Sequence, residues 1–404
     1  LTTRRQRQMC IRDRHKYEYC DLLITGSGPS GLASAYAAAK NGARVILAED
    51  KPRFGGSLLT SDVNIGNQTG VEWTEKIIAE LKSMPNVTVK NRSQVFGYYD
   101  HNMLVMSERI SDHLPKTQKY LPKQRLWYIR ANEVLISSGS IERPLVFGNN
   151  DTPGVMLSSA AKEYMKVYGV LVGKKPLIFT NNDSGYETAI EFKKNGVNPI
   201  ILDTRSNPSS DIITVAKNLN IEIKFSYVVV AAKGYKKVKS ADIAKISDDK
   251  KELFNIENIE CDCICVSGFW TPSIHLASQS GNKSKFNEKI DAFVPDKSKQ
   301  QENTIGSANG IFTLEETIKD AFDKGFDVSN KITEKNNKVS VPTVVEKKST
   351  DHDKFWCVPL PKGKSYKRFL DFQNDVAVSD IELALREGFR SVSYTHLTLP
   401  TSSQ

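Results

Sequence analysis

One run near the start of the chain does most to restrict what it can fold into: residues 20–50, CDLLITGSGPSGLASAYAAAKNGARVILAED. Leu22 to Thr25 form a short apolar stretch suited to a central parallel strand, buried on both faces. Gly26-Ser-Gly28-Pro29-Ser-Gly31 follows at once, then an alanine-rich helix pattern from Leu32 to Lys40. A second strand pattern, Ala43 to Ala48, ends on Glu49 and Asp50. Each piece has a mechanical role in holding a dinucleotide. Gly26 makes the tight turn, Gly28 lets backbone amides approach a pyrophosphate, and Gly31 lets the helix pack on the strand. The helix start offers unpaired N–H groups and a favourable dipole to the phosphates. Glu49 stands at the strand end where a carboxylate accepts hydrogen bonds from ribose hydroxyls, which favours FAD or NAD over NADP. A lone glycine-rich turn would be weak, because such turns are common. Strand, turn, helix, second strand and acid together disfavour a plain β-turn.

Further elements extend this α/β pattern. Gly55-Gly56-Ser57, just after the second strand, is placed to fold backbone over a nucleotide. Glu133 to Gly139 (EVLISSG) reads as a buried strand ending in small residues, and Asp151-Thr-Pro-Gly154 as a turn before a helix from Ser158 to Tyr168. A second strand–turn–helix–strand unit follows, with strand Pro176 to Phe179, helix Tyr186 to Asn195 and strand Pro199 to Leu202. Its turn, Thr180-Asn-Asn182-Asp-Ser-Gly185, lacks two of the three glycines. Thr180 and Asn182 would crowd a pyrophosphate, so this site is expected to bind NAD(P)H poorly or not at all. The expected fold class is therefore α/β: a FAD/NAD(P)-binding, Rossmann-like doubly wound domain with an inserted second, degenerate nucleotide-binding-like domain.

The first domain is expected over 15–150, the inserted one over 151–265, and a return to the first over 266–328. That return begins with the strand Cys261 to Ser267 and Gly268. His275 beside Trp270 and Pro272 is expected to be a packed, hydrogen-bonded residue rather than a catalytic base. Thr304-Ile-Gly306-Ser307 leads into a helix from Leu314 to Lys324; flavoproteins usually place a Gly-Asp pair here, and Ser307 stands where the Asp would be. That departure weakens the case for FAD and leaves NAD a real candidate. Residues 329–353 read as a linker, and 354–391, with a helix at Ser379 to Glu387, as the start of another domain.

The six cysteines show no framework. Cys261, Cys263 and Cys265 alternate along one strand, where neighbours are poorly placed to bridge, and no CxxC spacing suggests a metal. The net charge of +9 owes +4 to the first fourteen residues, five arginines less Asp13, and there is no basic stripe interleaved with aromatics. Nucleic acid is therefore not an expected partner. No apolar run approaches the ~20 residues of a membrane span, and a cytoplasmic protein is expected. The two ends stand apart. Arg7 to Asp13 (RQMCIRD) and Val392 to Thr398 (VSYTHLT) can be encoded by one short DNA read on opposite strands. That DNA resembles a transposon-end adapter used in sequencing libraries. Residues 1–14 and 392–404 are accordingly expected to be adapter-derived, with the gene continuing beyond both, and Cys10 and His396 without function.

Taken in order, EDKPRFGGSLL, GYYDHN with SDHLPK, QRLWYIRANEV, IERPLVFGNNDTPGVM, FTNNDSGYETA, VSGFWTPSIHLASQSG and FLDFQNDVAVSDIELALREGFRSV, together with the first turn, resemble the alpha subunits of heterotetrameric sarcosine oxidases. The resemblance implies an oxidoreductase subunit that binds NAD at the first turn. A partner beta subunit would carry FAD and oxidise the N-methyl amine, a covalently held FMN would sit near the interface, and smaller subunits would complete the complex. It also implies a folate-binding domain beyond the part seen here. By matched motif the nucleotide-site residues are Gly26, Gly28, Pro29, Gly31, Glu49, Asp50, Gly56 and Ser57, with Gly139 and Ser307 as further members. No catalytic acid, base or nucleophile is assigned, and no metal. Two other readings stay open: an alpha chain of a related amine dehydrogenase with FAD in the first site, and a scaffold whose nucleotide never turns over.

Overall fold

The computed structural model describes residues 14–115, 121–346 and 351–388. The suspect ends, apart from Arg14, lie outside the described residues. Two compact units form, one from residues 14–141 and 270–346, the other from 142–269 and 351–388.

In the first unit a sheet runs in the order β3-β2-β1-β6-β5-β4. Its strands are β1 (His15–Thr25), β2 (Val45–Ala48), β3 (Val87–Lys90), β4 (Ser93–Tyr99), β5 (Met103–Arg109) and β6 (Gln124–Ile136). The strands β1, β2, β3 and β6 are parallel, as is a short strand Glu302–Thr304 beside β6. The helix Pro29–Lys40 connects β1 to β2, and it begins three residues earlier than the sequence pattern marks because Pro29 and Ser30 already lie in its first turn. Its alanines pack into a core with Leu22, Ile24, Leu47 and the helix Leu314–Thr333. That last helix runs well past Lys324. Gly325, inside the helix, permits close approach: a Cβ there would lie 2.4 Å from the Ser34 carbonyl oxygen.

In the second unit five parallel strands take the order β10-β9-β8-β11-β7. They are β7 (Val155–Leu157), β8 (Pro176–Thr180), β9 (Ile200–Asp203), β10 (Glu222–Phe225) and β11 (Cys263–Ser267). The helices Ser158–Tyr168 and Ser184–Lys194 pack with this sheet, burying Met165, Tyr186 and Phe192. Strands Tyr227–Lys233, Ser240–Ile246 and Leu253–Glu260 form a separate antiparallel sheet.

Several expected boundaries move. Leu145 and Phe147 are buried in the second unit's core with Val228 and Ile264, so the chain leaves the first unit after Ile141 rather than after 150. The strand Cys263–Ser267 is paired on both sides inside the second sheet, so it is not the return to the first unit; that return starts at Trp270. Residues 329–333 are helical, not linker. Phe355 and Val358 fill the second core, and residue Cys357 bridges Val146. These positions lack helix or strand periodicity because they pack as extended chain, one residue at a time. The helix near the end spans Val378–Arg386, and Asp380 accepts the Ala377 N–H at 2.8 Å, so capping comes from the third helical position. Cys20, Cys261, Cys263 and Cys265 are buried free thiols, with 3.5 Å between the Cys263 and Cys265 sulfurs. Among the described residues no helix is long and apolar enough to cross a membrane.

Candidate functional site

The end of β1 is held against the end of β6 by Ser137. Its N–H donates to the Thr25 carbonyl at 3.0 Å, and its Oγ lies 2.9 Å from the carbonyls of Thr25 and Gly26. Here the turn departs sharply. Gly26 has φ +102°, and a Cβ on it would sit 2.4 Å from the Ser137 oxygen. A Cβ on Gly31 would sit 1.9 Å from the Gly26 oxygen. Both glycines are thus required by the chain's own packing.

Gly28 is required by nothing of the kind. Among the described residues, a Cβ built there meets no atom within 4 Å, and its φ of −67° suits any residue. It is the N-cap of the helix Pro29–Lys40, no side chain caps that first turn, and Pro29 opens it. An open helix start behind a glycine with free space before it is the arrangement a pyrophosphate uses.

The acid lies close by. Glu49 is 6% exposed; its Oε2 accepts the Ser27 N–H at 2.8 Å and the Ser27 hydroxyl at 2.6 Å, and its Oε1 accepts the Lys51 N–H at 2.9 Å. Burial pushes its carboxyl up, as does a hydrogen bond with Asp50, while the Ser27 and Lys51 donors oppose the rise. The Gly55 N–H donates to the Ser27 carbonyl at 3.0 Å, and a Cβ on Gly56 would come within 2.9 Å of the Gly28 Cα. The Gly55-Gly56 loop, with Ser57 in the short 3₁₀ turn Gly56–Leu59, therefore closes directly on the glycine turn. Gly306, next to Ser307, approaches the helix start equally closely: its Cβ would lie 2.6 Å from Ser30 Oγ.

The structure thus brings Gly26, Gly28, Pro29, Gly31, Glu49 and Gly56 together, with Asp50, Ser57 and Ser307 alongside. Gly139 has φ +80°, and its carbonyl accepts the Ser273 N–H rather than bonding the turn. Ser27 and Ser137 do work the sequence did not reveal. Ser27 occupies a variable position of the motif, and Ser137 was visible only as one of several small residues after a strand. His275 is exposed, with Nδ1 3.3 Å from Ser273 Oγ, so the expectation of a packed histidine is corrected.

The second turn is built from the same elements and is closed. Thr180, Asn181, Asn182 and Asp183 are all buried. The Thr180 hydroxyl donates to the Asn182 carbonyl at 2.8 Å. The Asn182 amide donates to Asn181 Oδ1 at 2.8 Å and to the Ser267 carbonyl at 3.1 Å, and its Oδ1 accepts the Ser184 N–H at 2.8 Å. A side chain thus takes a helix-start donor that a phosphate would need. Arg205 lies 2.9 Å from Asp183 and 2.8 Å from Asp203, and the Tyr186 hydroxyl donates to Asp203 at 2.7 Å. An extended strap completes the closure. The Asn181 amide donates to the carbonyls of Asp353 (2.8 Å) and Phe355 (3.2 Å), and the Asp353 carboxylate takes Thr204 Oγ1 at 2.9 Å and Lys250 Nζ at 3.0 Å. His352 stacks on Phe269 with ring centres 4.0 Å apart. The carboxyl ends of parallel strands, where open α/β sheets hold ligands, are here occupied by the chain itself.

Comparison with known proteins agrees with this arrangement. The model of the family described as pyridine nucleotide-disulphide oxidoreductase matches residues 20–303, and that of the sarcosine oxidase A3 domain matches residues 365–401. The chain is 35% identical over 382 residues to sarcosine oxidase subunit alpha of Rhizobium meliloti (strain 1021), covering 93% of this chain and 37% of that protein. It is 30% identical over 388 residues to the same subunit of Corynebacterium sp. (strain P-1), covering 94% and 40%. The chain therefore spans about two fifths of the length of these curated relatives. Among solved structures, L-proline dehydrogenase from P. horikoshii superposes with a TM-score of 0.63 at 17% identity, over 95% of this chain and 70% of that one. T. acidophilum thioredoxin reductase does so with a TM-score of 0.59 at 16% identity, over 78% and 98%. At those identities the two structures show the shared fold. The family match takes in both turns and nearly every strand that carries them, and by it this chain, similar along most of its length to sarcosine oxidase alpha subunits, belongs to the pyridine nucleotide-disulphide oxidoreductase family.

Proposed function

We propose that this chain is the nucleotide-holding part of an alpha subunit in a cytoplasmic sarcosine oxidase-type complex, with NAD at the first glycine turn. The observation that carries this reading is the likeness to sarcosine oxidase alpha subunits along 93% of the chain. The open first turn supports it. In this reading the helix start and Gly28 receive the pyrophosphate, Glu49 with Asp50 accepts from ribose hydroxyls, and Gly56 and Ser57 cover the adenosine side. Ser307, where flavoproteins carry a carboxylate toward the flavin chain, favours NAD over FAD.

A bound dinucleotide would supply hydride-accepting capacity; the chain's own residues bind it, orient it and exclude water. None is assigned as acid, base or nucleophile. Oxidation of the N-methyl amine belongs to the beta subunit, with FMN at the interface and smaller subunits completing the complex. The closed second turn supports the same view, because it offers no entry for NAD(P)H as an electron donor. Release of the nucleotide by denaturing the purified full chain, followed by mass spectrometry, tests the reading. NAD is expected. FAD would move the chain toward related amine or amino-acid dehydrogenases, and the absence of any nucleotide would count against the site.

A further inference from the structure

The motif asks nothing of position 27, yet Ser27 is fully buried and donates twice to one oxygen. Its N–H and hydroxyl reach Glu49 Oε2 at 2.8 and 2.6 Å. Its carbonyl accepts the Gly55 N–H at 3.0 Å, and that N–H also lies 3.4 Å from its Oγ. One residue therefore joins the glycine turn, the acid after β2 and the loop that closes on the turn.

We propose that Ser27 is the positioning residue that fixes Glu49 as the ribose-reading carboxylate, and so sets the first turn's preference for a ribose with a free 2′-hydroxyl over its 2′-phosphate. The proposal rests on the reading of this turn as a nucleotide site. A carboxylate has about four lone-pair positions; Ser27 and Lys51 use three and Asp50 also hydrogen-bonds the group, so a ribose hydroxyl would take the place of Asp50. A buried carboxylate held by three donors cannot swing away from a 2′-phosphate, and little water is present to screen the repulsion. Hydrogen bonds to the charged form also oppose the tendency of burial to protonate Glu49. Without the Ser27 hydroxyl the carboxyl is both looser and easier to neutralise, and each change weakens discrimination at the 2′ position.

The test uses the full chain, dialysed free of nucleotide, in four forms: wild type, Ser27→Ala, Ser27→Thr and Glu49→Gln. Calorimetric titration with ADP-ribose and with its 2′-phosphate isolates the ribose, since the two probes share adenine and pyrophosphate. The wild type is expected to prefer ADP-ribose. Ser27→Ala is expected to shrink that preference by about tenfold, the worth of one charge-assisted hydrogen bond, with Ser27→Thr restoring it and Glu49→Gln abolishing it. If Ser27→Ala weakens both probes equally, or leaves the ratio at its wild-type value while Glu49→Gln collapses it, Ser27 is only structural and the proposal falls alone. If the wild type binds neither probe, the nucleotide reading falls with it.

Discussion

The two strand–turn–helix units share a backbone plan and differ in what fills the turn. At Gly26–Gly31 two glycines are consumed by the protein's own packing, while among the described residues nothing fills the space at Gly28 and no side chain caps the helix start. At Thr180–Gly185 only the last glycine survives, and its Cβ would lie 2.7 Å from Thr180 Cβ. The third glycine is thus kept in both because helix and strand approach closely in both. The middle one is kept only where space is left for something other than protein. In the second turn Asn182, Asp183 with Arg205, and the strap at 352–355 satisfy the donors and acceptors that a nucleotide would otherwise engage. A second lesson concerns carboxyl groups, since each turn leans on a buried one. Glu49 is held by the first turn's own donors. Glu142 accepts the Ser159 N–H at 2.7 Å and hydrogen-bonds Ser267, which in turn holds Asn182.

Four substitutions would break or sharpen this comparison. The largest effect is expected from Gly31→Ala, where a contact of 1.9 Å with backbone oxygen forces the turn itself to move. A loss of about 3 kcal/mol or more in urea unfolding is expected. Gly185→Ala should cost less, because its tightest contact is 2.7 Å, with Thr180 Cβ, against 1.9 Å at Gly31. Equal costs would show that the two turns bear the same constraint.

Next is the pH dependence carried by Glu142. Complete burial pushes its carboxyl from 4.5 up to about 7, against the pull of its Ser267 and Ser159 donors. The folded state therefore holds this proton more tightly than the unfolded chain does. Stability is full below the unfolded value and is lost as pH rises through about 7, by an amount on the order of 3 kcal/mol. Glu142→Gln should flatten the difference in unfolding midpoint between about pH 5 and about pH 8. An unchanged slope in that variant would assign the titration elsewhere.

The smallest effect on stability is expected at Gly28. Its φ suits alanine and no described residue lies within 4 Å of the new methyl, so Gly28→Ala should change stability by less than about 1 kcal/mol. Retention of nucleotide should nonetheless fall at least about tenfold, because the methyl occupies the approach to the helix start. Loss of stability without loss of nucleotide would reverse the roles given to the two kinds of glycine.

Local pattern by itself determined a good deal. The run of residues 20–50, the helix Ser158–Tyr168 and the missing glycines of the second turn are all legible, because periodicity, helix entry and the need for glycine are properties of a few neighbouring residues. The sequence could also name most residues that gather at the first turn, since they cluster in two short motifs. What it could not place depends on partners far along the chain. Thr25 lies beside Ile136, Leu145 packs with Ile264, and Asn181 clamps Asp353, each pairing spanning more than a hundred residues. Gly325 illustrates the limit: nothing local marks it, yet in the folded unit it is the point where one helix meets the backbone of another. Ser27 illustrates it from the other side. Only the folding of β1 against β2 brings its hydroxyl to Glu49, so tertiary structure alone decided that an unremarkable serine would hold the acid of the site.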